Sequence, residues 1–75
     1  MAELQNRKLA LLKLKDPAAF ENYMLELIRL YGGELKLIAK MLEIHRNTVT
    51  RWVQESTVLS YAVEEARALA EAART

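Results

Sequence analysis

The chain has 75 residues, of which 52% are hydrophobic and 28% charged, and its formal net charge at pH 7 is +1. This composition is typical of a folded globular domain rather than a disordered segment. It contains no Cys, which excludes disulfides and thiolate chemistry. Charged residues interrupt every apolar run before the length of about 18 residues at which a membrane helix is considered. No basic segment leads into an apolar one at the N-terminus, so we expect no secretory signal and a cytoplasmic protein.

Charge is unevenly distributed along the chain. Residues 33–54 carry four basic and two acidic side chains, whereas residues 55–75 carry two basic and four acidic ones. The middle of the chain is therefore locally basic, although the total charge is low for a nucleic-acid-binding protein. A domain of this size buries only about 60% of the surface that its unfolded chain exposes, so self-association would add burial.

The N-terminal half predicts two helices. Residues 1–15 favour a helix, and their leucines spread over more than one face. An apolar surface this broad indicates either a helix that binds a partner or a helix that lies across its own domain. Asp16-Pro17 predicts the next helix start, because Asp caps free N–H groups and Pro has no N–H to lose at the first helical position.

The second helix carries an apolar stripe with helical spacing, which indicates a core face rather than a ligand surface. Its members are Phe20, Tyr23, Met24, Leu27, Ile28 and Tyr31. Gly32-Gly33 then ends the helix, because glycine readily takes the left-handed conformation that closes a helix C-terminus.

Residues 35–54 are typical of two short helices joined by a tight turn. The inner face of the first helix is expected at Leu35, Ile38, Ala39 and Leu42. A second apolar stripe, which we expect a flanking helix to cover, is formed by Leu37 and Met41. The turn lies at residues 42–45. In the second helix, residues 46–54, the side chains expected to face the core are Val49, Trp52 and Val53.

An Ala-rich helix is predicted at residues 57–74, after a polar break where Ser56 or Thr57 can cap it. Its apolar stripe comprises Val58, Leu59, Ala62, Val63, Ala66, Leu69, Ala70 and Ala73. Small alanines permit close approach, so this helix packs either on the domain or on another chain. The predicted fold is all-α: a single domain of about five helices, with an N-terminal helix (1–15), a core (16–54) and a C-terminal helix (57–74).

Residues 35–54 resemble the helix-turn-helix of bacterial and phage DNA-binding proteins. Within them, Arg46-Asn47-Thr48-Val49-Thr50-Arg51 resembles the recognition helix of Fis-type domains. The break and the Tyr61–Arg67 segment that follow are similar to the N-terminal DNA-binding domains of phage terminase small subunits. The resemblance implies that the recognition helix, 46–54, enters the major groove of double-stranded DNA. It implies either DNA recognition for phage packaging or a small Fis-like transcriptional or architectural regulator.

Two residues depart from that pattern. Glu43 occupies the turn position usually held by Gly, and His45 occupies the helix cap usually held by Ser or a similar residue. A positive φ is costly for Glu, so we expect a turn that differs in shape from the usual one.

The side chains expected to contact DNA lie on both helices of the motif. They are Lys36 and Lys40 on the first, and His45, Arg46, Asn47, Thr48, Thr50, Arg51 and Gln54 on the second. Arg can hydrogen-bond guanine, Asn or Gln can hydrogen-bond adenine, and Thr suits phosphate or base edges. The lysines would contact the phosphate backbone and strengthen binding without reading sequence. The alternative for each is a solvated surface side chain.

Other chemistry finds little support in the sequence. One His and no Cys provide too few ligands for a metal site, and Ser56 and Ser60 lack a plausible base, so we expect no cofactor and no enzymatic activity. One recognition helix covers only a few base pairs, so a homodimer or a higher homo-oligomer is expected. The alternative is a helical protein-interaction adaptor that does not bind DNA, which the near-neutral charge and the acidic last helix favour.

Overall fold

The computed structural model describes the backbone of residues 2–74 and the side chains of residues 7–74. Within that range the chain forms five helices and no strand: α1 (Ala2–Lys15), α2 (Pro17–Leu30), α3 (Leu35–Leu42), α4 (Arg46–Gln54) and α5 (Thr57–Arg74). The predicted all-α bundle is confirmed; Met1, assigned to the first helix by the prediction, lies outside the described residues. None of the five helices is long and apolar enough to cross a membrane.

Local sequence accounts for both ends of α2. Asp16 Oδ1 accepts a hydrogen bond at 3.1 Å from the backbone N–H three residues ahead, and Pro17 occupies the first helical position. At the other end, Gly32 and Gly33 have φ angles of 62° and 77°. The Gly33 N–H donates to the Ile28 carbonyl at 2.8 Å, which closes the helix end and turns the chain toward α3.

All five helices contribute to one apolar core, in which α2 contacts α1, α3 and α5, and α4 contacts α3 and α5. The largest fully buried side chains are Met24, Ile28, Ile38, Leu42, Val49 and Leu59. Trp52 packs edge-to-face on Phe20, with ring centroids 5.3 Å apart and an interplanar angle of 87°. The core assignments of Trp52 and of the α2 stripe are therefore confirmed, and this ring pair links α4 directly to α2.

The first helix lies across its own domain. Leu9 is buried and Leu12 is half-buried against the core, whereas Leu11 and Leu14 are 52% and 80% exposed. α1 contacts α2 and α3 through the buried face. The spread of leucines that the sequence shows is thus divided between a packed face and a solvent-exposed one.

Two apolar stripes are less covered than the sequence suggests. Leu37 and Met41 on α3 are 47% and 40% exposed, so the expectation that a flanking helix covers them is wrong. α3 has only eight residues, and the buried residues by which it joins the core lie on a different face. On α5, the stripe is buried along one edge at Leu59, Val63 and Ala66, while its other edge remains exposed.

Candidate nucleic-acid interface

The turn between α3 and α4 is closed by a left-handed residue, Glu43, with φ 58° and ψ 40°. Two backbone hydrogen bonds define it: the Glu43 N–H donates to the Lys40 carbonyl at 3.2 Å, and the Ile44 N–H donates to the Ala39 carbonyl at 3.0 Å. This pair of bonds is the Schellman pattern of helix C-termini. The turn therefore has the left-handed form usually made with glycine, and the expectation of a different shape is wrong.

His45 caps the start of α4. Its backbone is extended, and its Nδ1 accepts a hydrogen bond from the Asn47 N–H at 3.1 Å. Since Nδ1 acts as the acceptor, a neutral ring carries its proton on Nε2. The side chain is exposed. His45 thus takes the role of the usual Ser and also offers one N–H donor to solvent beside the helix N-terminus.

The inner face of α4 is anchored by Val49, Trp52 and Val53, all of which are buried as predicted. At the end of the helix, the Ser60 hydroxyl donates to the Val53 carbonyl at 2.7 Å. The Ser56 Oγ accepts the N–H of Leu59 at 3.2 Å and caps α5. The core contacts and the Ser60 hydrogen bond hold the inner face and the C-terminal end of α4, away from its exposed polar side chains.

The opposite face of α4 is polar and basic. Asn47, Arg51 and Gln54 are exposed and lie at offsets of four and seven residues, which place them along one side of the helix. Arg46 is exposed in the first turn, and Thr48 and Thr50 are half-buried at the two edges of this side. The structure thus groups Asn47, Arg51 and Gln54 most closely and gives the two threonines less room to reach a ligand.

Two lysines project from α3. Lys36 and Lys40 are exposed and four residues apart, so they share one side of the helix. The opposite side is buried, and Ala39, only 3% exposed, permits the close contact between α3 and α4. Together the two helices carry four basic residues and no acidic one. This pair of helices is the most consistently basic part of the fold outside α1.

An ion pair that the sequence does not reveal lies beside the end of α4. The Lys13 ammonium of α1 is 3.0 Å from Glu55 Oε1, the first residue after α4. Both side chains are partly exposed, so solvent screens the pair and it stabilises the fold by less than about 1 kcal/mol. Locally, Lys13 offsets the negative charge of the Glu55 carboxylate, which lies next to the basic face of α4. Lys13 is therefore engaged within the chain, whereas Arg7, Lys8 and Lys15 of the same helix are exposed.

Potential metal ligands are not clustered among the side chains that the structure describes. No group of three or more His, Asp or Glu residues there could hold a metal ion. In comparisons with known proteins, the chain matches no protein-family model, no curated protein and no solved structure. The functional interpretation therefore depends on the arrangement of α3 and α4.

Proposed function

We propose that the chain binds double-stranded DNA, with α3 and α4 acting as a helix-turn-helix and α4 entering the major groove. One observation carries this proposal: α4 is anchored in the core by one face and presents Asn47, Arg51 and Gln54 on the other. These residue types make the hydrogen bonds that distinguish bases in the major groove. An exposed row of such groups on a capped, well-supported helix is what base readout requires.

Each side chain takes a part that follows from its position. Arg51, near the middle of the exposed row, is assigned to guanine, and Asn47 and Gln54 to adenine. Arg46 and His45, at the N-terminus of α4, and Lys36 and Lys40 on α3 are assigned to phosphate oxygens, where they add affinity without sequence information. Thr48 and Thr50 flank the row and suit phosphate or base edges. Recognition of double-stranded DNA by α4 would serve either phage packaging or a small Fis-like regulator. In both cases we assign it to the cytoplasm.

A second candidate is a helical adaptor that binds protein instead of DNA. The observation in its favour is the exposed apolar pair Leu37 and Met41 on α3, next to the lysines of the same helix. An amphipathic partner helix with acidic residues would suit this surface. Two side chains make a small apolar contact, whereas the polar and basic row on α4 extends over the whole helix, so DNA is the better-supported ligand.

Binding of a fluorescent random duplex, measured by anisotropy over a series of salt concentrations, tests the proposal. Affinity is expected to fall steeply as salt rises, because cations that neutralise phosphates release counterions. On a duplex selected from a random pool for tight binding, Arg51→Ala is expected to weaken binding by about 1–3 kcal/mol and to relax the base preference. Lys40→Ala is expected to weaken binding to all sequences and to reduce the salt slope by about 1.

Arg74→Ala provides the matched control. It removes the same charge from an exposed position at the end of α5, distant in sequence from the motif. Affinity should be unchanged in this variant. If Arg46→Ala and Arg51→Ala leave DNA affinity as it is in the unmodified chain, the proposal is wrong and the adaptor becomes the better candidate.

A further inference from the structure

The Lys13–Glu55 ion pair lies at one edge of the exposed polar row on α4. The Glu55 N–H donates to the Arg51 carbonyl at 3.0 Å, and Glu55 has helical backbone angles, so helical geometry continues to this residue. Glu55 therefore follows Arg51 by one turn on the same side of the helix, with Cβ atoms about 5–6 Å apart. Thr48, seven residues before Glu55, lies on the same edge of the row. The carboxylate is thus placed beside the central arginine of the proposed interface.

Lys13 reaches this edge from a different helix. α1 packs on α2 and α3, and the Nζ of its Lys13 lies 3.0 Å from Glu55 Oε1. Both residues also line a cleft of about 140 Å³ beside Trp52. Among residues 7–74, Arg51 has no acidic partner, because Glu55 pairs with Lys13 instead. The pair thus offsets one negative charge and leaves the Arg51 guanidinium available to a ligand.

An uncompensated carboxylate at this edge opposes DNA binding. α3 and α4 carry four basic side chains and no acidic one, so Glu55 brings a negative charge to an otherwise basic side of α4. Exposed charges interact over a Debye length of about 8 Å at physiological ionic strength. Because the Cβ atoms of Arg51 and Glu55 lie closer than that, a duplex held by Arg51 brings its phosphates into the range of the Glu55 carboxylate.

We propose that Lys13 is a determinant of DNA affinity, and that α1 is thereby a third helix of the DNA interface. This inference rests on the proposed function. Glu55 repels the phosphates that approach the Arg51 side of α4, and Lys13 cancels that repulsion because its ammonium lies on the carboxylate. The effect of the pair on DNA binding is therefore electrostatic, whereas its contribution to folding is small because both side chains are partly exposed.

Anisotropy titrations of variants against one fluorescent duplex test this inference. Lys13→Ala leaves the carboxylate uncompensated and is expected to weaken binding by about fivefold. Glu55→Gln removes the carboxylate and is expected to tighten binding by about fivefold. The double variant has the same net charge as the unmodified chain, so its affinity should lie within about twofold of that chain's. Both single effects should shrink as salt rises, because salt screens exposed charges.

Lys15→Ala and Glu26→Gln are the matched controls. Each makes the same change of charge at an exposed position. Lys15 lies two residues beyond Lys13 and therefore on the other side of α1, and Glu26 lies on the side of α2 opposite to the buried Met24. Neither control should change DNA affinity by more than about twofold. Circular dichroism should show the same helicity in all of these variants.

The sign of the Glu55→Gln effect separates an electrostatic role from a structural one. If the pair served only to hold α1 in place, both single variants would weaken binding, and the double variant would bind no better than either. That result would overturn the inference, and so would unchanged affinity in both single variants while Arg51→Ala weakens binding. In either case the proposed function would stand. A chain that binds no duplex even at low salt would contradict the proposed function itself, and this inference with it.

Discussion

The turns that precede α3 and α4 both contain a residue in the left-handed conformation, but their surroundings differ. Gly33, before α3, has φ 77° and is buried beneath α5. A Cβ built there would lie 2.8 Å from the Val63 carbonyl oxygen and 2.8 Å from Arg67 Cγ. Glu43, before α4, has φ 58° and is exposed. Position 33 therefore requires glycine because of both its left-handed φ and the lack of space for a Cβ. Position 43 favours glycine because of its φ alone.

The two positions thus differ in why they favour glycine: at Gly33 a Cβ would clash with neighbouring atoms, whereas at Glu43 only the left-handed φ is unfavourable. At the first turn, α5 packs on the backbone, and the Arg67 Nε–H donates to the Gly33 carbonyl at 3.0 Å, so the turn is part of the tertiary contact. At the second turn, solvent accommodates the side chain and only the unfavourable φ has a cost. The Schellman hydrogen bonds and the core packing of α3 and α4 offset that cost.

The largest effect is expected for Gly33→Ala. The added methyl group clashes with the backbone of α5, and the alanine must also keep a left-handed backbone conformation that its Cβ disfavours. We therefore expect the free energy of unfolding to fall by about 3 kcal/mol. Urea denaturation followed by circular dichroism measures it. Gly32→Ala is the control, because its φ is 62° but its nearest neighbour, Ala70 Cβ, lies 3.4 Å from where the added methyl carbon would be. A loss as large for Gly32→Ala as for Gly33→Ala would contradict the steric argument.

Glu43→Gly should have the opposite sign. Glycine takes the left-handed conformation without the penalty of a Cβ, so we expect stabilisation by about 1 kcal/mol. Glu43→Ala is the control, since it removes the same carboxylate and its contacts but keeps the Cβ. The alanine variant should not gain stability, and equal unfolding free energies for the two variants would show that the backbone conformation is not the cause. DNA affinity should be retained in Glu43→Gly.

A smaller effect is expected at the cap of α4. His45→Ala removes the acceptor of the Asn47 N–H and should lower the unfolding free energy by about 0.5–1 kcal/mol. His45→Ser supplies a hydroxyl acceptor at the same place, so it should recover most of that stability. Thermal unfolding of the two variants gives the comparison. A serine variant no more stable than the alanine variant would argue against the capping role.

The smallest effect is expected for the ion pair beside α4. Lys13→Ala should change the unfolding free energy by less than about 1 kcal/mol, because both partners are partly exposed. The difference from the unmodified chain should shrink further in high salt, which screens exposed charges. A loss that is large and independent of salt would mean that Lys13 supports α1 through packing of its aliphatic stem.

Helix boundaries followed well from the sequence because their causes are local. Asp16-Pro17 and Gly32-Gly33 act within a few residues, and the apolar stripe of α2 depends only on helical spacing. Exposure within a stripe was less predictable. Leu37 and Met41 have the same periodicity as buried residues, but whether a neighbour covers them depends on where other helices lie. For the candidate DNA-binding residues, spacing predicted the exposed row on α4, while the partial burial of Thr48 and Thr50 required the packed structure.

Sequence alone determined the helices, their caps and the inward faces, since these depend on neighbours within one or two turns. Tertiary structure decided the contacts between distant segments: Lys13 with Glu55, Arg67 with Gly33, and Trp52 with Phe20. It also decided the conformation of Glu43, because left-handed backbone at a glutamate is unfavourable locally and is held by the packing of α3 and α4 on either side. Local propensity is weak compared with the combined free energy of burying those two helices, so the packed core determines the turn.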